Sequence, residues 1–180
     1  MRILVSGASI AGPVLAYWLE RYGFEVVVVE RSLTLRKTGG HAVDLFRPAM
    51  DIAERMGVIE AIQEKRTRIE RLGLRLEQRP GRRYEIQTSR LMSAVSDRHA
   101  EIMRDDLSEI LYEATCKTAD YRFGDSIASL SQDPDGVDVT FENGPPERFD
   151  LVIGADGCTP TSGAWSSARS RASPSGSGAI

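Results

Sequence analysis

The chain of 180 residues is poor in the groups that hold metals or covalent staples. Its cysteines are Cys116 and Cys158 and its histidines are His41 and His99. Two cysteines cannot build a disulfide framework, and these four residues lack metal-ligand spacing, so no metal site is expected. No apolar run approaches the roughly 18 residues of a membrane span. The opening run Ile3–Val5 is too short for a secretory signal core and runs straight into glycines. An excess of charge is also missing: 23 Lys and Arg stand against 26 Asp and Glu, a net −3. There is thus no basic field to attract nucleic acid or acidic lipid. Hydrophobic residues at 41% and charged residues at 27% exclude a disordered or collagen-like chain. The expectation is a globular protein of a reducing compartment, the cytoplasm, with one domain or at most two small ones.

What is present is concentrated near the start. Ile3-Leu4-Val5 reads as a buried parallel strand that ends in Ser6-Gly7. Val14, Leu15, Trp18, Leu19 and Tyr22 recur at helical spacing until Gly23. Val26 to Val29 is a second β-branched run, closing on Glu30. Strand, glycine turn, helix and strand within thirty residues make a βαβ unit with adjacent parallel strands.

Beyond a polar segment at 31–40, the pattern predicts a helix from Pro48 to Met56 and a short one ending near Lys65. Strands are expected at 68–78 and 84–87, around an Arg79-Pro80-Gly81 turn whose basic cluster reads as a solvated hairpin tip. An amphipathic helix is expected over 106–116. Two short strands, 127–130 and 137–141, flank Asp133-Pro134-Asp135-Gly136, and one buried strand is expected over 149–154.

Gly7-Ala8-Ser9-Ile10-Ala11-Gly12 has the spacing of a dinucleotide turn with serine at the middle position. The first glycine permits the tight exit from the strand, the small middle residue lets backbone approach a pyrophosphate, and the last lets helix and strand pack closely. The strand–turn–helix context supports the motif, as does Glu30 eighteen residues after Gly12. A carboxylate there accepts ribose hydroxyls and repels a 2′-phosphate, which points to FAD or NAD rather than NADP. The short-chain dehydrogenase turn fails, since it needs glycine where Ala11 and Pro13 stand and a Tyr-x-x-x-Lys that is absent.

These residues resemble the FAD-dependent aromatic hydroxylases of the para-hydroxybenzoate hydroxylase type, especially the tetracycline-inactivating branch. The resemblance spans Met1 to about Gly157. It rests on the Gly7–Gly12 turn, Glu30-Arg31, Arg36-Lys37-Thr38-Gly39-Gly40 leading to Asp44, and Ile102-Met103-Arg104-Asp105-Asp106-Leu107. The last segment is Asp150-Leu151-Val152-Ile153-Gly154-Ala155-Asp156-Gly157. It implies a three-layer, Rossmann-like α/β FAD-binding domain over 1–157, truncated, with a small antiparallel sheet. It implies that Gly7, Ser9, Ile10, Ala11, Gly12, Glu30, Arg31, Asp44 and Arg104 face FAD, that Arg36 serves NADPH and that Asp156 serves both nucleotides. The implied activity is hydroxylation of an aromatic or polyketide-like small molecule with NAD(P)H and O2. An NAD-dependent dehydrogenase and a non-catalytic FAD-binding remnant are the alternatives. No catalytic acid or base is assigned.

Residues 158–180 depart from this pattern, with seven serines, no Asp or Glu and almost no bulky apolar side chain. Such a composition is expected to be disordered. Pro160 and Gly163 stand where the family carries serine and arginine, yet the codons of 158–166, read one base earlier, permit Leu-His-Ser-x-Val-Arg-Arg-Leu-Val. A frameshifted tail is therefore expected, with a native linker as the alternative.

Overall fold

A computed structural model describes residues 1–35, 40–75 and 83–157. Its elements begin with β1 (Arg2–Ser6), α1 (Ala11–Arg21), β2 (Glu25–Glu30), β3 (Ala42–Phe46), α2 (Arg47–Arg55) and α3 (Ile59–Lys65). They continue with β4 (Arg71–Arg75), β5 (Arg83–Gln87), α4 (Thr88–Val95), β6 (His99–Met103) and α5 (Arg104–Glu113). Last come β7 (Asp120–Phe123), β8 (Ile127–Asp133), β9 (Gly136–Phe141), β10 (Glu147–Phe149) and β11 (Leu151–Gly154). They fall into two compact units, Met1–Thr34 with Thr118–Ile180, and Leu35–Lys117.

The first unit holds a parallel sheet in the order β11-β1-β2-β7. Its two central strands are continuously apolar because both faces are covered. Ile3, Val5, Val26 and Val28 are buried on one face with Ala8, Ala16 and Ala119, with Leu15 and Leu19 of α1 packed against them. Leu4, Val27 and Val29 point the other way, onto Val137, Val139, Phe141 and Phe149 of the antiparallel sheet β10-β9-β8. Each buried valine contributes about 1.5–3 kcal/mol of transfer free energy, an upper estimate. Helix, parallel sheet and antiparallel sheet are the three layers expected.

The second unit pairs β3 with β6 and β4 with β5, both antiparallel. Helices α2, α3 and α5 pack against β6. Met50, Ile62, Ile102, Leu107 and Ile110 are buried. The β4–β5 ribbon instead leaves Leu72, Tyr84 and Ile86 exposed.

The strand expected over 149–154 is two strands. Asp150 interrupts it: its amide donates to the Arg2 carbonyl at 2.9 Å and its carboxylate accepts the Arg2 amide. Phe149 can therefore serve the antiparallel sheet while Leu151–Gly154 joins β1. Helix α5 starts at Arg104 rather than 106, with Asp105 and Asp106 suited to the positive end of its dipole. The sequence pattern does not predict β3, α4, β6 or β7. The 79–81 turn and the 158–180 tail lie outside the described residues.

Candidate nucleotide-binding site

In the first unit, β1 leaves the sheet at Gly7, whose φ is +108°, a region that side chains avoid. The turn is also sterically closed: a Cβ on Gly7 would lie 2.8 Å from Asp156 Cα. The chain after β11 is drawn there by the Ala155 amide, which donates to the Ser6 carbonyl at 2.7 Å. A Cβ on Gly12 would lie 1.9 Å from the Gly7 carbonyl oxygen. Both glycines are thus set by backbone approach. Helix α1 opens at Ala11, with Ile10 at the N-cap, no side-chain cap and no acidic residue in its first turn. The first turn of the helix itself therefore adds no carboxylate at its positive end.

Glu30 closes β2 beside this turn. One carboxylate oxygen accepts the Ala8 amide at 3.0 Å and the other accepts the Ser32 amide at 2.9 Å. Both oxygens of the carboxylate are thereby fixed in position beside the turn. Arg31 follows and is exposed. The first unit therefore brings Gly7, Ser9, Ile10, Ala11, Gly12, Glu30 and Asp156 together around one strand-to-helix turn.

In the second unit, Gly40 approaches the start of α5, its amide donating to the Asp105 carboxylate at 3.3 Å. The Arg104 amide donates to the His41 carbonyl at 3.2 Å. The two sequence segments that carry Asp44 and Arg104 are thereby joined. Arg104 is exposed at the first position of α5, and Asp44 lies in the middle of β3 with Oδ1 2.6 Å from His99 Nε2. Arg36 lies outside the described residues. The sequence reading gives neither Asp105 nor His99 a role. An i, i+2 alternation at 99–103 would have put His99 on the face of β6 shared with Glu101.

The chain matches the model of the FAD binding domain family over residues 1–175. It belongs to that family. It is 46% identical over 157 residues to an uncharacterized protein of Mycobacterium tuberculosis, covering 86% of this chain and 41% of that protein. It is 41% identical over 163 residues to a flavin-dependent monooxygenase of Legionella longbeachae, covering 87% of this chain and 39% of the relative. Among solved structures, the tetracycline destructase Tet(55) superposes with a TM-score of 0.74 at 38% identity, covering 86% of this chain and 38% of that one. The chain thus spans about two fifths of the length of the relatives it matches. Among the described residues, no cluster of three His, Cys, Asp or Glu could hold a metal, and no helix is long and apolar enough to cross a membrane.

Proposed function

We propose that this chain is the FAD-holding portion of a flavin-dependent monooxygenase that uses NAD(P)H and O2 to hydroxylate a small organic molecule. The observation that carries the reading is the Glu30 carboxylate, pinned by two backbone amides beside a turn with no room for a Cβ at Gly7 or Gly12. These features fit a dinucleotide: Gly7, Ser9, Ile10, Ala11 and Gly12 would bring backbone to the pyrophosphate, and Glu30 and Arg31 would meet the adenosine ribose. Asp44, Arg104 and Asp156 would serve FAD from their own segments, and Arg36 would serve the nicotinamide nucleotide. When bound, FAD supplies the redox and oxygen chemistry, while the protein binds and orients it.

Likeness to tetracycline destructases at 38% and 40% identity favours an aromatic or polyketide-like substrate. With a net charge of −3, neither nucleic acid nor an acidic membrane is a partner in this reading, and the cytoplasm is its location.

Substitution of the two arginines tests the division of roles. Arg104→Ala should weaken FAD binding, read by flavin fluorescence, whereas Arg36→Ala should raise the NAD(P)H requirement of a full-length form. Loss of flavin from Arg36→Ala, with Arg104→Ala unaffected, would overturn it.

A further inference from the structure

The β3–β6 pair sets Asp44 directly opposite Glu101 and Phe46 directly opposite His99. Alternation puts these four side chains on one face of the pair, so two carboxylates meet across the strands, an arrangement that is unfavourable by itself. The structure resolves it asymmetrically. Glu101 accepts the hydroxyl of Thr67. Asp44 turns diagonally to His99, Oδ1 to Nε2 at 2.6 Å. A carboxylate only accepts, so Nε2 carries the proton. The ring is held in turn against Phe46, their centroids 5.5 Å apart. The His99 side chain is 18% exposed and that of Asp44 41%, so the histidine is the half-buried support and the carboxylate the more accessible group.

We propose that His99 is a positioning residue for Asp44: wedged by Phe46, it fixes the carboxylate in one rotamer and leaves the remaining acceptor sites to the cofactor. This rests on the reading above that Asp44 contacts FAD. It requires an N–H at position 99, not a histidine as such.

The test titrates the full chain with FAD, following flavin fluorescence, for wild type, Asp44→Asn, His99→Phe, His99→Asn and the Asp44→Asn/His99→Phe double variant. His99→Phe should weaken binding about five- to tenfold, the worth of one ordinary hydrogen bond, because the loss reaches the cofactor only through the Asp44 rotamer. His99→Asn, which keeps an N–H, should recover most of that loss. The double variant should bind no more weakly than Asp44→Asn. Wild-type affinity in His99→Phe, with Asp44→Asn weakened, overturns the positioning role and leaves the FAD reading standing. Wild-type affinity in Asp44→Asn overturns the FAD reading of Asp44 itself. A second measurement needs no cofactor: ring 15N shifts of His99 should show a locked Nε2–H form that Asp44→Asn releases. Averaged tautomers in the wild type would contradict the proposal, and matching thermal melts for His99→Phe and wild type separate it from a folding defect.

Discussion

The unit built from 1–34 and 118 onward makes its candidate site out of a backbone turn with one carboxylate pinned beside it, and the unit of 35–117 makes its own out of side chains. In the first, valines on alternating faces are sealed between α1 and the β8–β10 sheet, and the site lies where that rigid stack ends. The turn is fixed by what cannot be there, a Cβ at Gly7 or Gly12. In the second, ion pairs and hydrogen bonds do the positioning: Asp44 with His99, Gly40 with Asp105, Arg98 with Asp51 and Glu54. Geometry set by main chain tolerates no side-chain change, whereas geometry set by side chains can be tuned one hydrogen bond at a time. Substitutions at Gly7 or Gly12 should therefore act on fold and cofactor together. Those at the second unit's site should act on affinity with stability kept.

The largest effect should come from Gly12→Val. The new Cβ would overlap the Gly7 carbonyl, a backbone atom that cannot swing aside. A destabilisation of about 3 kcal/mol follows, roughly 6–12 °C in the melting temperature, with loss of FAD binding. Calorimetry alongside FAD titration checks both; a stable variant that binds FAD would break the contrast.

Glu30→Ala should come next. It removes the pinned acceptor and should cost about 1.5–3 kcal/mol of FAD affinity, roughly ten- to a hundredfold. Unchanged affinity on titration would remove Glu30 from the site.

A smaller effect concerns pH. Glu147 lies between Arg2, 2.7 Å from one oxygen, and Arg122, which holds the other. The hydrogen bond from Arg122 is the main reason its carboxyl is held below the ordinary value of 4.5. A depressed carboxyl stabilises the fold above that ordinary value, and the contribution is lost as pH falls through the lower folded value. The first unit should therefore melt earlier as pH drops below about 4.5. Glu147→Gln should remove about 1 kcal/mol at neutral pH and flatten that dependence. A wild-type acid profile in the variant would show that the arginines do not hold this group.

The smallest effect belongs to the ribbon. Leu72→Ser with Ile86→Thr alters a cross-strand pair that is already exposed, so thermal stability should change by no more than about 0.5 kcal/mol while aggregation at high concentration falls. A large drop in the melting temperature would mean that the pair is buried in solution.

Much of the first unit was legible because its signals are local and redundant. Unbroken valines mark a strand covered on both faces, and a glycine turn between strand and helix marks the phosphate end. The second unit was less legible because its strands are chemically disguised. In β6, His99, Glu101 and Met103 alternate with buried Ala100 and Ile102, a period-two pattern diluted by polar residues. Helix α4 has Gln87 at its N-cap and no capping hydrogen bond, so nothing announces its start. The break at Asp150 depends on Arg2, 148 residues away, and no window of sequence contains both. The same distance effect hid His99: its meaning comes from Asp44, fifty-five residues earlier.

The most direct test is competition at the turn. FAD bound to the full chain, followed by flavin fluorescence, is challenged with ADP and with ADP carrying a 2′-phosphate. If Glu30 and the Gly7–Gly12 turn hold the adenosine and pyrophosphate, ADP displaces FAD and its 2′-phosphorylated form does so at least tenfold less well. Equal displacement by both, or none by ADP, would contradict the account.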